Sequence, residues 1–254
     1  MSYKVYSGTG TVYMAPVDAS GNRTGNYIQV GDAYPLSVQV ATKQTEVKSR
    51  MVERAGQIIA SKVEIDKISG KLTLREWNAA NLAWAVSGSA TLLSVVGGTV
   101  TDEVFVAPTA GEYKPLAKRG LTAVSVKHTS GSPTYVAGTD YTLDSKLGLL
   151  TILAGGAIIA AQSLKVSYTY AARANYQVNV GSSVQIRVAI FAHLYDEYRG
   201  VDYELEIDSA VMSASKEINF ISEAGSEGEA LEFDMTLETL SGQSSPMRIN
   251  GVPA

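Results

Sequence analysis

The sequence contains no cysteine and only two histidines, and these absences exclude several kinds of chemistry. Without cysteine there is no disulfide, no thiolate zinc site and no cysteine nucleophile. His128 and His193 lie far apart in the sequence, so we expect no histidine-rich metal centre within one chain. No stretch reaches the roughly 20 apolar residues of a membrane span, and the N-terminus lacks the basic start and apolar run of a secretory signal. We therefore expect a protein without cofactors that is made in the cytoplasm and does not enter membranes.

The chain has 254 residues, of which 18% are charged and 45% hydrophobic, and this composition is typical of a globular protein. Its length suits one large all-β domain or two ordinary domains. The net charge of −4 does not indicate nucleic-acid binding, but the charge is unevenly distributed. Residues 196–238 contain thirteen Asp and Glu against one Arg and one Lys, whereas residues 43–75 are more basic than acidic. We therefore expect one face or end of the fold to be acidic.

Alternation of apolar and polar residues dominates the sequence and predicts a mainly β fold. A long charged connection, residues 43–56, separates two of the predicted strands. The clearest helix is predicted at residues 77–86, with Asn78 as its N-cap and Gly88 as its C-terminal stop. Outside the middle of the chain, the predicted strands are residues 11–17, 27–30, 36–42, 58–67, 70–75, 183–191, 203–207, 217–221 and 229–240.

The middle of the chain has a different sequence pattern, with short predicted strands between turns rich in Gly, Pro and Ser. This spacing is typical of a β-sandwich. We therefore predict a discontinuous core domain, residues 1–96 and 173–254, with a small β module inserted at residues 97–172.

Three predicted strands carry a carboxylate at alternate positions, so each has one apolar face to bury and one acidic face. The solvated side of an ordinary antiparallel sheet explains this pattern, and a functional acidic surface remains an alternative. The candidate residues of such a surface are Glu64, Asp66, Glu204, Glu206, Asp208, Glu232, Asp234 and Glu238.

Two segments resemble a known family. The first, residues 36–91, contains a strand, a charged loop, a strand at residues 71–74 and two further stretches, Gly56-Gln57-Ile58-Ile59-Ala60-Ser61-Lys62-Val63-Glu64-Ile65-Asp66 and Asn81-Leu82-Ala83-Trp84-Ala85-Val86-Ser87-Gly88. The second, Thr139-Asp140-Tyr141-Thr142-Leu143-Asp144 with residues 148–152, resembles the hairpin of Ig-like modules in phage tail proteins. With these segments the sequence resembles the major tail proteins of siphophages, which are also called tail tube proteins.

The resemblance implies two packed antiparallel sheets, a β-sandwich or partial barrel, flanked by one helix, with an Ig-like module facing outwards. It also implies a structural virion protein without catalytic activity, located in the phage tail, whose copies self-assemble into stacked hexameric rings. The implied partners are other copies of the chain, the tape-measure protein in the lumen, the tail terminator and the distal tail proteins. DNA would pass through the channel without specific binding. An acidic lining would repel its phosphates and so reduce friction.

The resemblance assigns roles to two further segments. Residues 43–56 would reach a neighbouring ring, with mixed charges that set the register between subunits, although a flexible surface loop is an alternative. The candidate contacts in this loop are Lys43, Glu46, Lys48, Arg50, Glu53 and Arg54. The polar C-terminal segment would be an arm onto an adjacent subunit, or would fray freely. Its candidate contacts are Pro246, Met247, Arg248 and Ile249.

Other functions compete with assembly. The chain could be a carbohydrate- or host-surface-binding β-sandwich protein of a phage baseplate or adhesin. Its candidate stacking residues also suit packing within the module; they are Tyr113, Tyr135, Tyr141, Tyr168 and Tyr170. A glycosidase using two carboxylates is less favoured, because the acidic pattern repeats on three strands. Neither the Asp140/Asp144 pair nor the Asp196/Glu197 pair matches a calcium loop, so we expect no metal site.

Overall fold

A computed structural model describes residues 7–222 and 228–251 of the chain. The chain divides into two compact units, unit 1 (Met1–Thr91 with Gln177–Ala254) and unit 2 (Leu92–Tyr176). Most of the described residues lie in antiparallel strands and there is one α-helix, which confirms the prediction of a mainly β fold. The helices in the described ranges are short, and none of them is apolar and long enough to cross a membrane.

The strands and the α-helix are numbered in their order along the chain. They are β1 (Gly8–Pro16), β2 (Ile28–Gln29), β3 (Ala33–Lys48), β4 (Ile58–Leu74), α1 (Ala79–Ala85), β5 (Ser89–Val95), β6 (Gly98–Val106), β7 (Lys114–Pro115), β8 (Leu121–His128), β9 (Thr134–Tyr135), β10 (Tyr141–Asp144), β11 (Leu149–Ile152), β12 (Ser163–Tyr170), β13 (Arg173–Asn179), β14 (Ile186–Asp196), β15 (Val201–Ala214), β16 (Leu231–Leu237) and β17 (Met247–Asn250).

Eight strands of unit 1 form one hydrogen-bonded antiparallel sheet in the order β2-β1-β14-β15-β16-β4-β3, with β17 paired to β15. β17 and β16 pair with successive parts of β15. Strands near both ends of the order, β1 through Val12 and β3 through Leu36, contribute side chains to the same apolar core. The sheet therefore curves around this core as a partial barrel, and its opposite face is turned outwards.

Helix α1 packs on the inner face of this sheet and buries Trp84 and Ala85 in the core. Its start is set by Asn78, whose side-chain oxygen accepts a hydrogen bond of 2.9 Å from the backbone N–H of Asn81. The Asn81 amide donates in turn to the carbonyl of Val30, also at 2.9 Å, which ties the helix to the loop before β3. The helix lies within the predicted residues 77–86 and has the predicted N-cap, so this prediction is confirmed.

Unit 2 has two sheets, β6-β12-β8-β9 and β10-β11-β7. Its core is separate from that of unit 1 and is centred on fully buried Leu150, Leu164 and Val166. The chain runs into this unit through β5 and leaves it through β13, and these two strands pair with each other.

The predicted strand at residues 217–221 is wrong, since the structure has no strand there. The ladder between β15 and β16 ends where Ser215 donates its N–H to the backbone carbonyl of Glu232, at 2.9 Å. β16 pairs with β15 only as far as Phe233, and residues 217–221, which follow the end of this ladder, have no strand partner in the described chain. The segment is held by side chains instead, because Phe220 packs edge-on against Trp77 with 5.9 Å between ring centroids.

Candidate functional site

The most distinctive feature of unit 1 is a two-stranded arm that continues β3 and β4 beyond the sheet. The two strands stay paired from Leu36↔Leu72 to Lys48↔Ile58. β16 pairs with β4 only as far as Ser69, so the outer part of β4 has β3 as its one strand neighbour in the described chain. We call residues 42–66 the arm. At the usual rise per residue, its strand from residue 42 to residue 48 is about 20 Å long.

The arm corrects the prediction that residues 43–56 form a long charged connection. Lys43, Glu46 and Lys48 belong to β3, and only residues 49–57 form the connection. The candidate residues Arg50, Glu53 and Arg54 lie in that turn, which includes a short 3-10 helix at Val52–Arg54. Residues 42–48 are exposed on both faces of the ribbon. Without a buried face they lack the alternation that reveals a strand.

The turn at the end of the arm is held by hydrogen bonds within the turn. Ser49 donates its N–H to the carbonyl of Gln57 at 2.7 Å and accepts from the N–H of Gly56 at 3.0 Å. Met51 donates its N–H to the Ser49 hydroxyl at 3.2 Å, and Arg54 donates to the carbonyl of Met51 at 3.0 Å. Ser49 is buried by these contacts. The turn therefore has a defined shape.

Large apolar side chains are exposed along the arm and at its tip. Val63 and Ile65 alternate with charged residues, a pattern that predicts burial, but both are exposed. That prediction is wrong because no second layer of the described chain packs beneath the arm. Val52, at the tip, is 96% exposed. The exposed apolar residues on or beside the arm are Val40, Val47, Met51, Val52, Ile58, Ile59, Val63 and Ile65.

The structure brings together six of the eight candidate carboxylates. Those of β15 (Glu204, Glu206, Asp208) and those in and just after β16 (Glu232, Asp234, Glu238) lie on the outer face of the sheet, since the residues between them are buried. Glu64 and Asp66 lie on the arm and are not part of this face. Two of the three predicted acidic strands therefore form one surface.

Most of the carboxylates on the outer face have a cationic partner. Lys216 lies 3.6 Å from Glu232, and Lys71 lies 3.8 Å from Asp234. Glu238 accepts two hydrogen bonds from Arg187, at 3.1 and 3.2 Å. The hydrogen bond from Arg187, together with one from Ser209, holds the pKa of Glu238 below its ordinary value. This compensation of charge is not foreseen from the sequence.

The C-terminal strand β17 belongs to this sheet through its pairing with β15, and its Arg248 contacts the carboxylates of the outer face. The guanidinium of Arg248 donates to Asp208 at 2.6 and 2.8 Å and to Glu206 at 3.0 and 3.2 Å. The hydrogen bonds to Asp208, and to a smaller extent those to Glu206, raise the pKa of the Arg248 guanidinium above its ordinary value. Met247 and Ile249 point to the other face of β17, and Asp208 donates its N–H to Pro246. The predicted intersubunit arm thus has a strand partner within its own chain.

In unit 2, the tyrosines suggested as a carbohydrate surface are mostly in the core. Tyr135, Tyr141 and Tyr168 are buried there, whereas Tyr113 is exposed. Asp140 organises a turn, because it accepts hydrogen bonds from the backbone N–H groups of Val136 and Ala157 at 2.7 and 2.8 Å. The packing explanation therefore accounts for most of these tyrosines.

His193 and Asp196 each have a local partner. His193 lies 3.3 Å from Asp202 on the next strand, and the Asp196 carboxylate accepts from the Tyr203 hydroxyl at 3.2 Å. Across residues 7–222 and 228–251, no group of three or more His, Asp or Glu is arranged to hold a metal ion.

Fold and surface together define a mainly β protein of two units, with an exposed two-stranded arm and a charge-paired outer face. The sequence model of a family described as protein of unknown function UCP028589 matches residues 5–192, which is most of the chain and includes the arm and all of unit 2. The chain belongs to this family. No curated protein matches it.

Proposed function

We propose that this chain is a tail tube protein of a long-tailed bacteriophage. Its copies assemble into stacked hexameric rings around the channel through which DNA leaves the virion. The observation that supports this proposal best is the arm, which has a defined shape but no apolar partner in the described chain. The resemblance of residues 36–91 to tail tube proteins is the reason for proposing stacked hexameric rings rather than another assembly.

The arm has the properties of an element that is completed by another molecule. A two-stranded ribbon without a packed face is marginally stable in water. Contiguous exposed apolar side chains on a soluble protein mark contact surfaces. Both faces of the arm carry such side chains, for example Val63 on one face and Val47 on the other. Packing against further copies would bury them and stabilise the ribbon.

The sheet of unit 1 also has exposed edges that suit side-by-side assembly. β3 lies at one end of the strand order. At the other end, β2 pairs with β1 only at Tyr13 and Met14, so the first residues of β1 lack a strand partner on that side in the described chain. Exposed strand edges are templates for pairing with another chain. Two such edges on one sheet allow copies to join in a ring.

The carbohydrate-binding alternative has less support. Three of its five candidate tyrosines are buried in the core of unit 2 and cannot stack on a sugar. Stacking on sugars needs an exposed aromatic face.

Sedimentation velocity at increasing concentration, followed by negative-stain electron microscopy, tests the assembly proposal. We expect hollow rings or tubes of uniform width from the intact chain. A matched variant replaces residues 43–64 with an Asn-Gly turn, which joins the paired positions Thr42 and Ile65 by a two-residue hairpin loop. This variant should fold and stay monomeric. An intact chain that remains monomeric at every concentration would contradict the proposal.

A further inference from the structure

Unit 1 contains an open apolar groove at one end of its core. The groove has a volume of about 430 Å³ and lies between the first residues of β1 and the first half of β3. Thr9 lines one side and Leu36 and Val40 line the other, while Leu194 and Ile249 form part of the floor. It opens where the sheet curves back on itself without closing. The described chain leaves this part of the core without a covering side chain.

The tip of the arm has a shape and chemistry that suit such a groove. Met51 and Val52 are adjacent, apolar and exposed, and they project from the hydrogen-bonded turn at residues 49–57. Because the turn is already ordered, docking it loses little conformational freedom, which favours binding.

The tip cannot reach the groove of its own chain. Val40 lines the groove, and β3 continues as a strand from Val40 to Lys48 just before the tip, with shifts of its register to β4 after Ala41 and after Val47. Eight residues of extended strand separate these positions by about 26 Å. The arm begins at the edge of the groove and holds its tip at a distance from it. A tip that enters this groove must therefore come from a second copy.

The charges around the two surfaces are complementary. The turn carries Arg50 and Arg54 against Glu53, so it has an excess of positive charge. The register places the groove-lining residue Gly8 opposite Asp196, at the turn between β14 and β15. In that turn Arg199 lies 3.7 Å from the fully buried Asp196, which leaves Glu197 as the exposed carboxylate of the turn. Asp202 is paired with His193, and Glu204 lies on the outer face of the sheet. This difference in charge would orient the tip towards the groove.

We propose that the Met51–Val52 tip of one copy inserts into the groove of a second copy, between β1 and β3. This inference rests on the proposed function and names the contact through which its subunits join. Tip and groove are different surfaces of the same chain, so the contact is head-to-tail. Each copy uses its own tip and offers its own groove, and repetition gives a closed ring or an open stack of copies.

Cross-linking tests this contact directly, because the chain has no cysteine of its own. A Met51→Cys variant is mixed with an affinity-tagged Thr9→Cys variant and treated with a short bis-maleimide. We expect a mixed cross-linked dimer. The control replaces Thr9→Cys by Val184→Cys, which is also exposed and lies in unit 1. Absence of the mixed dimer, or an equal yield with the control, would overturn the proposal.

A charge substitution at the tip tests the same contact independently of cross-linking. Val52→Asp places a carboxylate at the tip, whereas Val184→Asp makes the same change at another fully exposed valine of unit 1. Burying a valine side chain corresponds to about a ten- to one-hundred-fold change in affinity. We expect Val52→Asp to weaken self-association by at least that factor in sedimentation equilibrium, and Val184→Asp to leave it unchanged. Equal effects of the two substitutions would refute the contact.

Two combinations of results distinguish a failure of this contact from a failure of the tube proposal. Rings or tubes that form without the Met51–Thr9 cross-link would refute the contact and leave the proposed function standing. A specific cross-link in a protein that forms chains but never rings or tubes would support the contact and contradict the tube.

Discussion

Removal of a core side chain in unit 2 should destabilise that unit alone. Leu164 is fully buried in the core of unit 2, and no residue of this core belongs to the core of unit 1. Substitution of a buried leucine by alanine costs about 3 kcal/mol. In a domain of the size of Leu92–Tyr176, each kcal/mol lowers Tm by roughly 4–8 °C. The Leu164→Ala variant should therefore unfold roughly 12–24 °C lower in unit 2.

The two tryptophans make the assay specific, because Trp77 and Trp84 both lie in unit 1. Tryptophan fluorescence follows unit 1, whereas calorimetry records both units. We expect Leu164→Ala to move one calorimetric transition and leave the fluorescence midpoint unchanged. The reciprocal variant Leu72→Ala, in the core of unit 1, should lower the fluorescence midpoint. If Leu164→Ala lowered the fluorescence midpoint as much as the calorimetric one, the reasoning from two separate cores would be refuted.

Three further variants test local features of unit 1. The pKa of Glu238 is lowered by Arg187, so its contribution to stability is present at neutral pH and is lost as the pH falls through its folded-state pKa, below 4.5. The stability difference between wild type and Glu238→Gln in urea titrations should shrink over that pH range; a constant difference would contradict this assignment. Asn78→Ala removes the N-cap of α1 and should lower the free energy of unfolding by about 1 kcal/mol in urea, and an unchanged value would show that the cap is not stabilising. Arg248→Ala should increase amide exchange in β17, and unchanged protection there would show that its backbone ladder suffices.

The sequence predicts those parts of unit 1 in which local chemistry and burial agree. α1 has a capping residue and an apolar side, and the alternation in β16 follows its buried and exposed faces. The β3 half of the arm escapes prediction because residues 42–48 have no buried face, whereas the β4 half lies in the predicted strand at residues 58–67. The exposed Val63 and Ile65 show the converse error, since the same alternation occurs where residues 7–222 and 228–251 provide no second layer. Alternation indicates a strand, but it does not show what covers the strand.

The charge pairs could not be predicted, because they depend on the register between distant strands. Arg248 meets Glu206 because β17 pairs with the first half of β15, a contact between residues 42 positions apart. The sequence shows the excess of carboxylates in residues 196–238 but not the position of the cations that face them. A count of acidic residues therefore overestimates the negative charge of the outer face.

Charge pairing changes how this face would serve as the lining of a DNA channel. Friction with DNA depends on cations that are free to pair with phosphate, because each such contact adds affinity. Arg248 is engaged by two carboxylates and Arg187 by one, so neither guanidinium is free to take a phosphate without breaking those hydrogen bonds. A lining of this kind resists DNA binding through occupied cations more than through net repulsion. Salt screens repulsion between exposed charges over about 10 Å but weakens close bidentate pairs less, so these two guanidiniums would stay engaged by their carboxylates at physiological salt.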